Sequence, residues 1–194
     1  MSELKNLARH ARDLRRSLAN HKYEVTEDGI FLPEQKLLIG GVFSVSVNDG
    51  PWEHFKNKVV NQGLTYLLDV GITNGTKIST WYLVPFAGNV TPLATWTAAN
   101  FTANSTELTQ YDEATRPTFV APTAALQNVT NTASPASITI NATVTAYGAA
   151  LISNPVKSAT TGTLISAGLF STPKSLADDD TLSIAYSLTA TSTT

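Results

Sequence analysis

Two stretches near the end of the chain, SITINATVTA at residues 137–146 and TLSIAYSLTA at residues 181–190, alternate apolar with polar side chains. The apolar positions that define the alternation include Ile140, Val144, Ile184 and Leu188. Because successive side chains of a strand point to opposite faces, each stretch would bury one face only. That pattern is typical of antiparallel sheets and predicts two long, half-buried strands.

Further short strands, separated by turn signals, precede and follow these two stretches. The predicted strands are residues 37–47, 80–86, 106–111, 118–121, 137–152, 163–170 and 181–191. The first ends in Asn48, Asp49, Gly50 and Pro51, which are residues that favour turns. Several short strands at this spacing predict a mainly β fold, an antiparallel β-sandwich of immunoglobulin-like or jelly-roll type. The pattern does not distinguish these two topologies.

One helix is expected to pack on this body. It is predicted to run from about His54 to Asp69, because its apolar residues recur at helical spacing. The residues on that face are Phe55, Val59, Val60, Gly63, Leu64, Leu67 and Leu68. The buried face of this helix should cover a sheet.

The first 22 residues have a different character. They carry a net charge of plus four, which leaves minus six on the rest of a chain whose formal charge is minus two. Apolar residues recur at the three- and four-residue spacing of a helical seam. The predicted partner-binding residues are Leu4, Leu7, Leu14 and Leu18 in the seam, with Arg12, Arg15 and Arg16 for contacts to an acidic surface. Docking on another protein is favoured over binding nucleic acid, because the seam itself requires a partner.

These features divide the chain into three segments. Residues 1–22 are predicted to form a protruding basic helical arm, and residues 23–36 an extended linker that contains the Leu32–Pro33 dipeptide. Residues 37–194 are predicted to form a single β-sandwich body that includes the helix near residues 54–69. At 194 residues the chain is long enough to bury a real core.

The composition offers little for catalysis. The chain has no cysteine and three histidines, of which only His54 lies in the body, where a capping or surface role is favoured. The acidic run at residues 178–180 lacks the ligand spacing of an EF-hand loop and is interpreted as a solvated turn. No apolar run reaches the length that spans a bilayer, and no export signal precedes the charges. The sequence predicts a soluble protein that is not an enzyme and requires no cofactor, metal or membrane.

Several segments resemble small virion structural proteins of tailed bacteriophages. They are NKVVNQGLTYLLDV at residues 57–70, TWYL at 80–83, YGA at 147–149, LISA at 164–167 and TLSIAYSL at 181–188. The resemblance implies a virion subunit present in many copies, which binds the capsid surface as a decoration or cement protein. Its expected partners are the major capsid protein, other virion proteins and further copies of this chain. No functional residue is carried over from the resemblance.

Two alternatives remain open at this point. The same body could serve as a structural subunit of the neck or tail of the particle. It could also be a carbohydrate-binding module of a host-recognition structure, using Trp81, Tyr82 or Trp96 on a flat exposed face. Core packing of this aromatic-rich region, which also includes Phe86 and Phe101, is the favoured interpretation.

Overall fold

Strands dominate the computed structural model, which describes residues 9–13, 15–16, 23–25, 31–33 and 36–193. The strands are β1 Tyr23–Val25, β2 Phe31–Pro33, β3 Lys36–Val47, β4 Glu53–Lys56, β5 Lys58–Val59, β6 Trp81–Phe86, β7 Thr118–Phe119, β8 Asn128–Thr130, β9 Ala136–Thr139, β10 Val144–Ile152, β11 Leu164–Leu176 and β12 Thr181–Thr193. Two helices lie among these strands, α1 Asn61–Ile72 and α2 Ala98–Ser105. Residues 9–13 and 15–16 are also helical.

Two antiparallel sheets contain most of these strands. Sheet I has the order β5-β11-β10-β6-β7, and sheet II has the order β4-β3-β12-β8, with β9 also paired to β12. The long β10–β11 hairpin pairs Ala149 with Gly168, and β10 pairs on its other side with β6. The prediction of a mainly β fold with antiparallel sheets is therefore confirmed.

The tight turn between β3 and β4 is the one that the sequence predicts. Asn48 and Asp49 have φ angles of 50° and 56°, in the left-handed region that Asn and Asp tolerate better than other side chains. The Gly50 amide donates to the Val47 carbonyl across 2.9 Å. This turn sets the register in which Ser44 lies opposite His54.

A large hydrophobic core joins residues of the two sheets. Ring contacts link them directly: Phe55 of sheet II lies 4.8 Å from Phe170 of sheet I, measured between ring centroids. Ile140 and Ile184 are fully buried in this core, and Val144 and Leu188 are half-buried against it. The predicted inward facing of these four residues is confirmed. Fully burying a side chain such as Ile140 or Ile184 contributes about 1.5–3 kcal/mol.

A second core covers the opposite face of sheet I. Phe86, Trp96 and Phe101 are buried there, with their ring centroids 6.2–6.4 Å apart in edge-to-face arrangements. Tyr82 packs at the margin of this core, whereas Trp81 contacts Tyr66 at 5.2 Å. The prediction that the aromatic-rich region serves core and loop packing is confirmed. These residues do not form the flat exposed face that the carbohydrate alternative requires of them.

The helix predicted from His54 to Asp69 begins later than expected. Residues 53–59 form strands β4 and β5, and the helix α1 spans Asn61–Ile72. Phe55 pairs with Phe43 in sheet II, and Val59 pairs with Ser166 in sheet I. These long-range backbone pairings outweigh a local helical spacing. His54 therefore lies on a strand and not at a helix start.

Helix α1 rests on strand β11, as a helix that covers a sheet should. Gly63 faces the β11 backbone so closely that an added Cβ would lie 2.4 Å from the Ile165 carbonyl oxygen. The side-chain carbonyl oxygen of Gln62, Oε1, accepts hydrogen bonds of 2.9 Å from the backbone amides of Ala98 and Leu164. Leu68, however, is 59% exposed, so its predicted place on the buried face is wrong.

Two strand predictions need correction. Residues 106–111 do not form a strand. They contribute only isolated β-bridges, from Glu107 to Phe86 and from Tyr111 to Ile140. Residues 137–152 form β9 and β10, which belong to different sheets. The chain crosses between the sheets at residues 140–143, and the uninterrupted alternation of side chains conceals this crossing.

Contacts divide the chain into two units, of which residues 39–189 form one. The described residues outside that range belong to the other, which contains the antiparallel pair β1–β2 with Glu24 opposite Leu32. Within the described residues, no helix is long and apolar enough to cross a bilayer.

Candidate functional site

The predicted arm is partly described. Arg12, Arg15 and Arg16 lie in helical backbone and are exposed, whereas Leu4, Leu7, Leu14 and Leu18 lie outside the described residues. Arg9, Arg12 and Arg16 are spaced by three and four positions, so they share one helical face. Asp13, which is also exposed, lies four positions after Arg9 and three before Arg16. The described part of the arm therefore presents a mainly basic surface with one acidic side chain.

The acidic run at residues 178–180 forms the turn between β11 and β12. The Asp180 carboxylate accepts a hydrogen bond of 2.7 Å from the side-chain amide of Asn48 and one of 2.6 Å from the backbone N–H of Ala177. These two bonds lower the pKa of Asp180. Among the described residues, no group of three or more histidine or acidic side chains is arranged to hold a metal ion. The turn organises the hairpin through Asp180.

A buried ion pair lies where the sequence suggests no polar site. Arg116 and Glu107 have fully buried side chains and form two hydrogen bonds, of 2.9 and 2.6 Å. The guanidinium also donates to the Asn154 and Ala159 carbonyls, and Glu107 accepts from the Ser158 amide at 2.9 Å. The pair thereby fixes the loop between β10 and β11.

A second cation stabilises the same loop. The Lys157 ammonium lies 3.6 Å above the centre of the Tyr111 ring and donates to the Tyr111 carbonyl at 2.7 Å. Desolvation lowers the pKa of Lys157, and burial raises the pKa of Tyr111. Arg116 and Lys157 both contact groups of the body: backbone carbonyls, the Glu107 carboxylate and the Tyr111 ring. We therefore assign this network a structural role.

A surface pocket on the outer face of sheet II is the best candidate for a binding site. Its volume is about 320 Å³, and the described residues that line it are Ser44, Trp52, His54, Thr132 and Ala185. His54, Ser44 and Ala185 come from the adjacent strands β4, β3 and β12. The Ser44 hydroxyl and His54 Nδ1 are 2.7 Å apart. Trp52, in the β3–β4 connection, is 41% exposed.

The sequence gives only a partial signal for this pocket. Trp52 and His54 lie close together in the sequence, but the pairing of His54 with Ser44 depends on strand register. Ala185 belongs to a strand about 140 positions away in the sequence, and Thr132 follows β8. No local pattern could bring these residues together.

A serine–histidine pair can in principle support nucleophilic catalysis. Within residues 36–193, however, no carboxylate is hydrogen-bonded to the His54 ring, so the third member of a triad is not observed there. Ser44 also lies in the middle of a regular strand and is nearly buried. The geometry suits binding better than acyl transfer.

Exposed apolar side chains mark a second surface, on helix α1. Leu68 and Ile72 line an open groove together with Thr65, Asp69 and Thr73, and Ile72 is 83% exposed. Large apolar groups grouped on one helix face are typical of contact surfaces.

No protein-family model matches the chain, and no curated protein matches it significantly.

Proposed function

We propose that the chain is a non-enzymatic structural subunit of a tailed-phage virion, which binds the capsid surface as a decoration or cement protein. The observation that carries this proposal is the exposed row of arginines in the arm, in a chain whose remaining residues are net acidic. An arm of one sign is suited to a partner surface of the other. The arm's partner would be the major capsid protein or another virion protein.

The body supports the same proposal through its construction. Its two sheets share one core, and we propose that they form a β-sandwich of immunoglobulin-like or jelly-roll type. The buried Arg116–Glu107 pair fixes a surface loop, and the α1 groove offers apolar contact area. A rigid body with a contact surface suits a subunit that packs in many copies, because association then adds stability by mass action.

A place in the neck or tail is the alternative within the same class. The capsid and the neck or tail assignments differ in copy number and symmetry, because a tail subunit would form rings whereas a decoration subunit would follow the capsid lattice.

We predict that charge reversal in the arm will block attachment to particles. The variant Arg12→Glu/Arg15→Glu/Arg16→Glu should be incorporated about tenfold less than the wild type, since several favourable ion pairs become repulsive. The effect should weaken at high salt, where exposed charges are screened over about 8 Å or less. Quantitative mass spectrometry of purified particles measures incorporation, and circular dichroism checks that the variant is folded.

The matched control reverses three exposed lysines of the body, Lys56, Lys58 and Lys77. It changes the net charge by the same amount and should be incorporated like the wild type. Lys174 is less suitable, because it forms an ion pair with Glu53. Equal incorporation of the arm and body variants would show that the charge of the arm does not drive attachment.

A further inference from the structure

The pocket on sheet II has a shallow floor made of small side chains. Phe43 and Val45 point into the shared core, so Ser44 between them faces the outer side of the sheet. By the same alternation, Ala185 faces outward between Ile184 and Tyr186. Both small residues are nearly inaccessible to solvent. They lie at the base of a depression that Trp52, His54 and Thr132 border.

The described lining combines an aromatic surface with polar hydrogen-bonding groups. Trp52 offers an indole ring, and Ser44, Thr132 and His54 offer two hydroxyls and an imidazole. Hydroxyls both donate and accept, and a neutral imidazole has one donor and one acceptor nitrogen. No lysine or arginine is among the described lining residues, so none of those residues is a permanent cation that would select an anionic ligand.

We propose that this pocket binds the ring of a neutral saccharide. One face of a pyranose carries C–H groups that can stack on Trp52, while its hydroxyls exchange hydrogen bonds with Thr132 and with His54, which Ser44 holds in place from below. A volume of about 320 Å³ lies at the small end of ligand pockets. The site therefore takes one terminal sugar ring and not a long chain.

Other neutral ligands fit less well. A purely apolar molecule would leave the hydroxyls and the imidazole without partners when it excluded water, which is unfavourable. The proposal concerns different residues from Trp81, Tyr82 and Trp96, and it does not depend on the location of the protein in a virion. A saccharide site on the body is compatible with a capsid-bound subunit and with a free protein.

The test is a titration of the full-length chain by two-dimensional NMR. The probes are D-glucose, D-galactose, D-mannose and N-acetyl-D-glucosamine, each added up to about 50 mM, which detects dissociation constants in the millimolar range. We expect at least one sugar to shift the Trp52 indole signal together with the amides of Ser44, His54 and Thr132. The indole signal is assigned from the spectrum of Trp52→Phe.

Variants separate stacking from hydrogen bonding. Trp52→Ala should weaken binding about tenfold or more, and Thr132→Val, which keeps the side-chain shape, should weaken it several-fold. The matched control is Leu93→Ala, an exposed residue of the 87–97 loop that precedes α2; it should bind like the wild type. The proposal is overturned if none of the four sugars shifts these signals, or if Trp52→Ala and Leu93→Ala bind equally well.

Discussion

Replacing Arg116 with methionine is expected to lower the free energy of unfolding by about 3–5 kcal/mol. The side chain of Glu107 is fully buried, and its carboxylate would lose both guanidinium hydrogen bonds. The Asn154 and Ala159 carbonyls would lose a donor at the same time. A buried charge without its partner is among the costliest defects in a folded protein. Urea denaturation followed by tryptophan fluorescence measures the loss.

The double variant Arg116→Met/Glu107→Met tests the mechanism. Because it removes both charges together, it should be less destabilised than the sum of the two single variants. A loss of under about 1 kcal/mol for Arg116→Met would contradict the account, since an exposed ion pair contributes no more than that.

The second large effect is expected for Ile184→Ala, which should cost about 2–5 kcal/mol. Ile184 is fully buried in the core shared by the two sheets, opposite Ala136 of strand β9. Removing its outer carbons leaves a cavity that the rigid strands around it can fill only in part. Thermal unfolding monitored by circular dichroism should show a clearly lower melting temperature.

Two residues of the same strand provide graded controls. Thr189→Ala should change stability by less than about 0.5 kcal/mol, because Thr189 is exposed and its hydroxyl makes only a long hydrogen bond of 3.4 Å, to the Gly40 carbonyl. Ser183→Ala should cost about 1 kcal/mol, because the Ser183 hydroxyl is hydrogen-bonded to that of Ser137 at 2.8 Å. If Ile184→Ala and Thr189→Ala were equally stable, the inward facing assigned to Ile184 would be wrong.

The sequence predicts well those parts of the fold that depend on local alternation. Strands β6 and β12 lie close to their predicted ranges, and the turn at Asn48 and Asp49 forms as expected. Strand β11 begins close to its predicted start but continues to Leu176, beyond the predicted end at residue 170. Side-chain facing is also predictable, as Ile140 and Ile184 show. The period-two geometry of a strand determines the strands and their facing, and the tolerance of Asn and Asp for left-handed backbone determines the turn.

Features that depend on long-range pairing could not be predicted in the same way. Residues 53–59 have a helical spacing of apolar groups, yet Phe55 and Val59 pair with strands of two different sheets. Helix α2 has polar residues at four of its eight positions, and no periodic pattern of apolar residues predicts it. The Arg116–Glu107 pair and the Trp52 pocket likewise depend on contacts between distant segments.

The central claim is that the chain is a structural subunit bound to a capsid surface, and a cryo-EM map of the intact phage particle tests it most directly. The account predicts many copies of the two-sheet body on the outside of the shell, arranged on the capsid lattice, with the basic arm against an acidic surface of a neighbouring protein. A map that placed the protein only in rings of the neck or tail would contradict the capsid assignment. Particles that contained none of this protein would contradict the virion assignment altogether.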